Sequence, residues 1–122
     1  IRISNFFIGS KKEDVIANLD DNYKLWKRED GFCVYTFDNF KLWFGIDGEL
    51  EQIGVTKGFL GDYKSIRIGT TMQDVMIQFG QYENDGDVYL LSGVDGICFE
   101  LEDVDDWEEL TAPIEWIFVY KC

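Results

Sequence analysis

Histidine is absent from this 122-residue chain, and the omission closes much of the chemistry a small domain can perform. Without imidazole the commonest general base is missing, and with it the serine and cysteine triads and the usual zinc and iron sites. Cysteine is scarce: Cys33, Cys98 and Cys122 are odd in number, far apart and in no C-x-x-C pairing. That argues against a disulfide framework and for a reducing compartment. With no histidine to activate them, the three thiols read as small strand hydrophobes rather than nucleophiles. No apolar run approaches the ~20 residues of a membrane helix, and no signal peptide is visible. The chain opens on Ile1, so whether a targeting segment precedes it is left open; a cytoplasmic location is the expectation.

Positive charge is the other shortage. Residues 1–61 hold 8 Lys/Arg and 10 Asp/Glu, whereas residues 62–122 hold 3 and 14, so most of the net charge of −13 belongs to the second half. Such a field repels nucleic acid and anionic membranes and steers a basic protein toward it. What remains is ordinary for a soluble fold. The length suits one domain spanning 1–122, and a hydrophobic share of 46% is enough for a core without staples. Aromatic residues reach 16%, including Trp26, Trp43, Trp107 and Trp116, so some rings are expected near the surface.

The organising feature is a duplication. Residues 8–19, IGSKKEDVIANL, align without gaps on residues 68–79, IGTTMQDVMIQF. Ser10 and Thr70 are the expected helix N-caps, with Glu13 and Gln73 three residues on to complete a capping box. Val15, Ile16 and Leu19, like Val75, Met76 and Phe79, then fall on one helical face. Gly80 is the expected stop of the second helix. After each helix come strand-like segments: 32–37, 40–46 and 50–55 in the first half, and 87–91, 97–102 and 114–120 in the second. Asp47-Gly48 is a strong hairpin signal between two of them. The pattern predicts an α+β fold of two tandem α-β-β-β repeats, about 6–55 and 67–122, joined by a linker at about 56–66. The strands would form one antiparallel sheet with both helices on one face.

Alternation assigns the faces of that sheet. Phe40, Leu42, Phe44 and Ile46 oppose Lys41 and Trp43, and Ile97, Phe99 and Leu101 oppose Cys98, Glu100 and Glu102. The helices cover the first set, leaving Trp43, Cys98 and the carboxylates on an open face. The last strand is apolar on both faces, which places it centrally or against a second apolar layer.

One stretch breaks the symmetry. Where the first half turns tightly at Asp47-Gly48, the second inserts DVDDWEELTAP, a long acidic hairpin loop. Insertions in repeats commonly lie on a binding face. Close like charges in exposed solvent cost on the order of 1 kcal/mol a pair, so packing does not explain Asp103, Asp105, Asp106, Glu108 and Glu109. A loop kept soluble by charge is the plain alternative. Against it stand the loop's tryptophan and the carboxylates leading into it, Glu100 and Glu102. An aromatic anchor within complementary charge is how tight interfaces are often built. The expected partner-binding set is therefore Glu100, Glu102, Asp103, Asp105, Asp106, Trp107, Glu108 and Glu109, with Trp43 as a second anchor.

Competing chemistry finds little support. An EF-hand frame on Gly86 places Gln81 and Ser92 at ligand positions 1 and 12, and one on Gly96 places Leu91 and Gly93 at positions 1 and 3; both fail. A glycosidase working with two carboxylates is permitted by residue type, but no specific pair is marked. No enzyme activity, cofactor or metal is expected.

Two resemblances follow from these residues. Ile8-Gly9-Ser10 and Ile68-Gly69-Thr70, each followed by Asp-Val and a strand meander, resemble the repeat of the β-lactamase-inhibitor-protein-like fold, shared with small outer-membrane assembly lipoproteins. The second half, YKSIRIGTTMQDVMIQFG through GICFELED to PIEWIFVY, resembles bacterial immunity proteins of polymorphic or contact-dependent toxin systems. That resemblance implies a small acidic protein that neutralises a cognate toxin, often a basic nuclease, by covering its active site. The alternative it leaves is a non-catalytic envelope-assembly or hydrolase-inhibitor module that binds a protein through the open sheet face.

Overall fold

The structure, a computed structural model, describes residues 2–122. A two-strand ribbon, β1 (Arg2–Ile3) and β2 (Phe6–Phe7), precedes helix α1 (Lys12–Ile16). Strands β3 (Lys24–Lys27), β4 (Cys33–Thr36), β5 (Phe40–Phe44) and β6 (Leu50–Val55) follow. Helix α2 (Met72–Phe79) opens the second half and leads into β7 (Tyr82–Asp85), β8 (Val88–Leu91), β9 (Ile97–Leu101) and β10 (Ile114–Tyr120). The eight strands after the ribbon form one antiparallel sheet in the order β3-β4-β5-β6-β10-β9-β8-β7. The class is α+β, and β10 is central.

Each helix is followed by four strands, where the sequence pattern predicts three. The additional strands, β3 and β7, are the two edges of the sheet. All four residues of β3 and three of the four in β7 are exposed, so neither shows the apolar alternation that marks a half-buried strand. Charged edges of this kind discourage pairing with another sheet.

The helices begin one residue later than Ser10 and Thr70 predict. The N-caps are Lys11, which makes no side-chain cap bond, and Thr71, whose Oγ1 accepts from Asp74 N at 3.3 Å. Ser10 and Thr70 are held by the sheet instead. Their carbonyls accept from Leu50 N (2.8 Å) and Ile114 N (2.9 Å), and Gly9 N and Gly69 N donate back to Leu50 O (2.8 Å) and Ile114 O (2.9 Å). The chain is still extended there and turns helical only after leaving β6 and β10. Gly80, at φ +88°, ends α2 as expected.

One contiguous core joins both halves. Leu42, Phe44, Leu50, Ile53 and Val55 pack with Tyr89, Leu91, Ile97, Phe99, Ile117 and Val119, beneath Val15, Ile16 and Leu19 of the first half and Met72, Val75 and Phe79 of the second. Two predicted core positions are wrong. Ile46 is 73% exposed because the strand ends at Phe44, and Met76 is 41% exposed because Met72 occupies the inward turn of α2. On the opposite face Trp116 stacks on Phe118 (5.4 Å, 6°) and Trp43 lies 6.4 Å from Phe118. Gly54 permits this: a Cβ there would sit 2.8 Å from Phe118 Cε1 and 3.2 Å from Trp43 Cζ3.

The segment 56–66 contains a small hairpin. Tyr63 and Ile66, both buried, exchange two 2.8 Å backbone bonds across Lys64 and Ser65, which sit at φ +48° and +75°. Two left-handed residues in a row define a type I′ turn, which favours Asn-Gly. Asp62 Oδ2 accepts from Ser65 N at 2.6 Å, which helps hold it. Ser65→Gly relieves the left-handed penalty and is expected to add about 0.5–1 kcal/mol, a rise of roughly 2–4 °C in Tm measurable by calorimetry.

Candidate functional site

The acidic segment is an ordered loop, residues 102–113, between β9 and β10. Its base is closed by Glu102 N donating to Pro113 O (2.8 Å), and Ala112, 1% exposed, anchors its return. The loop folds toward the helix-bearing side of the sheet's acidic edge. Gln73 N, in the first turn of α2, donates to Leu110 O (3.3 Å). Opposite this contact, Glu109 reaches β7 and β8: Tyr82 Oη donates to its Oε2 (2.5 Å), while Asn84 Nδ2 and Tyr89 Oη donate to its Oε1 (3.2 Å each). The loop is thus held between α2 and the edge strand.

Two of the expected binding carboxylates are therefore spent within the molecule. Glu109 is the pin just described, and Glu102 forms an ion pair with Lys57. Pinning Glu109 inward has a consequence for its neighbours, since Trp107, Glu108 and Leu110 are all exposed. Asp103, Asp105 and Asp106 are exposed as well. Among the described residues none of these aspartates, nor Glu108, is in a salt bridge. Asp106 adopts φ +56°, a conformation aspartate tolerates better than most residues.

Glu100, Asp103, Trp107 and Glu109 line one groove of about 480 Å³ with Asn84, Asp87 and Tyr89. Glu100 faces the open side of β9 and also borders a second groove containing Val88, Leu90, Cys98, Phe118 and Tyr120. Trp43 lines a third, with Arg28, Phe32, Gln52 and Tyr120. Gln52 and Tyr120 are common to the second and third grooves. Trp43 and Trp107, both expected as anchors, thus occupy different grooves. The residues that sequence reasoning overlooks are Tyr82, Asn84 and Tyr89, which hold the loop, and Asp87, which adds a carboxylate to the groove. The last could have been found by noting that Asp85-Gly86-Asp87 must turn at the same end of the sheet as the acidic loop.

The hydrogen bond from Tyr82, the largest influence, holds the Glu109 carboxyl below its ordinary value of 4.5. The same bond pushes the Tyr82 phenol up to about 12. Burial pushes the Cys98 thiol up to about 11, with Glu100 adding to the effect, so the thiol stays protonated at neutral pH. Among the described residues no group of three or more His, Cys, Asp or Glu is placed to hold a metal ion.

Glu109→Gln keeps the side-chain shape and removes the charge. The expected loss is about 1–2 kcal/mol, from hydrogen bonds to a charged acceptor weakened to neutral ones. The wild-type contribution has two pH limits. The Glu109 pKa is lowered on folding, so its stabilisation is present above 4.5 and lost as pH falls through the folded value. The Tyr82 pKa is raised, so its stabilisation is present below 10 and lost as pH rises toward about 12. Urea titrations across pH should show both limits in the wild type; in the variant the acid limit at this site is gone and the alkaline one, which burial of Tyr82 also supports, is weakened.

No family model matches the chain, and no curated protein matches it. Among solved structures, the crystal structure of the uncharacterized protein yfeY from Escherichia coli is similar, with a TM-score of 0.60 at 14% identity, covering 93% of this chain and 90% of that one. The likeness is one of fold. Among the described residues no helix is long and apolar enough to cross a membrane.

Proposed function

We propose that this chain is a non-catalytic binding protein that captures and neutralises a basic protein, as an immunity protein does its cognate toxin, and that it docks through the acidic loop. The observation that carries the reading is the pin at Glu109. A loop whose only role is solubility needs no fixed shape, yet this one is held at three points on other elements while Asp103, Asp105, Asp106, Glu108 and Trp107 are left outward. Holding the loop's backbone in place before contact lowers the entropic cost of binding. Opposed to a cationic active site, the carboxylates would occupy the place of substrate phosphates.

The finer architecture belongs to the same proposal. The two halves are tandem copies of one unit, a helix followed by its meander, and the equivalent bonds at Gly9–Leu50 and Gly69–Ile114 support this. The copies differ chiefly in the loop, which is where a binding function added to one of them would reside.

The test is co-expression with the protein encoded immediately upstream. Rescue of cells from that protein, together with a stable complex on gel filtration, is the expected result; survival without the chain, or no complex, contradicts the reading. Trp116 stacked on Phe118, with Trp43 tilted beside them, favours a second reading, in which an envelope-assembly or inhibitor module binds through the open face. In that case hydrogen-exchange protection on binding falls on β5, β6 and β10 and spares the loop.

A further inference from the structure

We infer that the docking surface extends from the acidic loop onto the outer flank of α2, where Met76, Ile77 and Leu110 form an apolar centre; this rests on the reading of the loop as a docking site for a basic protein. At 100° per residue, Met72, Val75 and Phe79 define the inward side of α2, and Gln73, Met76 and Ile77 share one flank. The loop reaches the start of this flank, where Gln73 N donates to Leu110 O at 3.3 Å, while Gln78, on the other side of α2, is turned to Lys64 O at 2.9 Å. Met76 is 41% exposed, Ile77 76% and Leu110 38%.

Single exposed apolar side chains are ordinary, but a group on adjoining elements is not. Around this one stand Asp74, Asp105, Asp106 and Glu108, all exposed. An apolar centre within a charged rim is the anatomy of a protein interface. A comparison within the molecule points the same way. At the places in α1 corresponding to Met76 and Ile77 are Ile16, partly buried against the core, and Ala17. The first half, which lacks the loop, also lacks the exposed pair. The occupant that fits is a cationic protein surface centred on an apolar protrusion.

The probe is a labelled 18-residue amphipathic peptide of lysine and leucine, compared with a lysine/serine peptide of equal charge by fluorescence anisotropy. The wild type should bind the leucine peptide at least tenfold more tightly. The double variant Met76→Ser with Ile77→Ser should lose that preference while still binding both peptides. Ile46→Ser, at the opposite end of the sheet and 73% exposed, should keep it. A preference that survives in the double variant overturns the inference; Leu110→Ser should weaken the preference from the loop side, and an unchanged preference there removes Leu110 from the surface. The underlying reading is tested separately by reversing Asp103, Asp105 and Glu108 to lysine. Loss of binding to both peptides upholds it, and unchanged binding overturns it together with the inference. Thermal unfolding of each variant confirms that a change in binding is not a loss of fold.

Discussion

Reversing Asp103, Asp105 and Glu108 to lysine should slow association with a basic partner by about 10- to 1,000-fold at low salt, the range over which electrostatic steering acts. Each reversal adds two positive charges, moving the net charge from −13 to −7, and all three fall on the segment that a partner would meet first. Stability should change little, because the three side chains are exposed and make no salt bridge among the described residues. Asp106 is left in place, since lysine at its φ of +56° would add strain unrelated to charge. The bonds that shape the outer turn are backbone bonds, from Thr111 N and Ala112 N to Glu108 O at 3.2 and 2.8 Å, and survive the substitution. Stopped-flow association and calorimetry on the same samples separate the two effects. A triple variant that unfolds shows these carboxylates to be structural.

Phe99→Ala should cost about 3–5 kcal/mol, a large part of the 5–15 kcal/mol that holds a typical domain together. Phe99 is fully buried on β9, paired with Ile117 of β10 and Tyr89 of β8. Removing the ring opens a cavity between the central strand and the pair of strands that supports the loop. Tyr89 also donates to Glu109, so its displacement loosens the pin as well. Chemical denaturation measures the loss, and a variant less than 1 kcal/mol below wild type would show that the core rearranges to fill the space.

What the sequence made legible follows burial closely. Short aromatic and β-branched runs mark strands β4, β5, β6, β8 and β9, with alternation assigning the faces of β5 and β9, and the central place of β10 follows from its being apolar on both faces. The edge strands β3 and β7 are not so marked, since Lys24-Leu25-Trp26-Lys27 and Tyr82-Glu83-Asn84-Asp85 have little to bury. Helix starts were displaced by one residue because local capping rules do not register that Ser10 and Thr70 bond to strands 40 and 44 positions away. The acidic loop was visible as an interruption of the repeat, but its shape was not. Glu109 finds Tyr82, Asn84 and Tyr89 across separations of 27, 25 and 20 residues. Charge alone could not distinguish that pinned carboxylate from Asp105 or Glu108 beside it.

The account's central claim is that negative potential displayed by the ordered loop is a docking feature. The most direct measurement is the association rate with the protein encoded beside this chain, followed across ionic strength from 10 to 500 mM. The account predicts a steep fall as the Debye length contracts from about 30 Å to below 8 Å, with the lysine triple variant slow throughout. A rate independent of salt, or one identical in the variant, would contradict it.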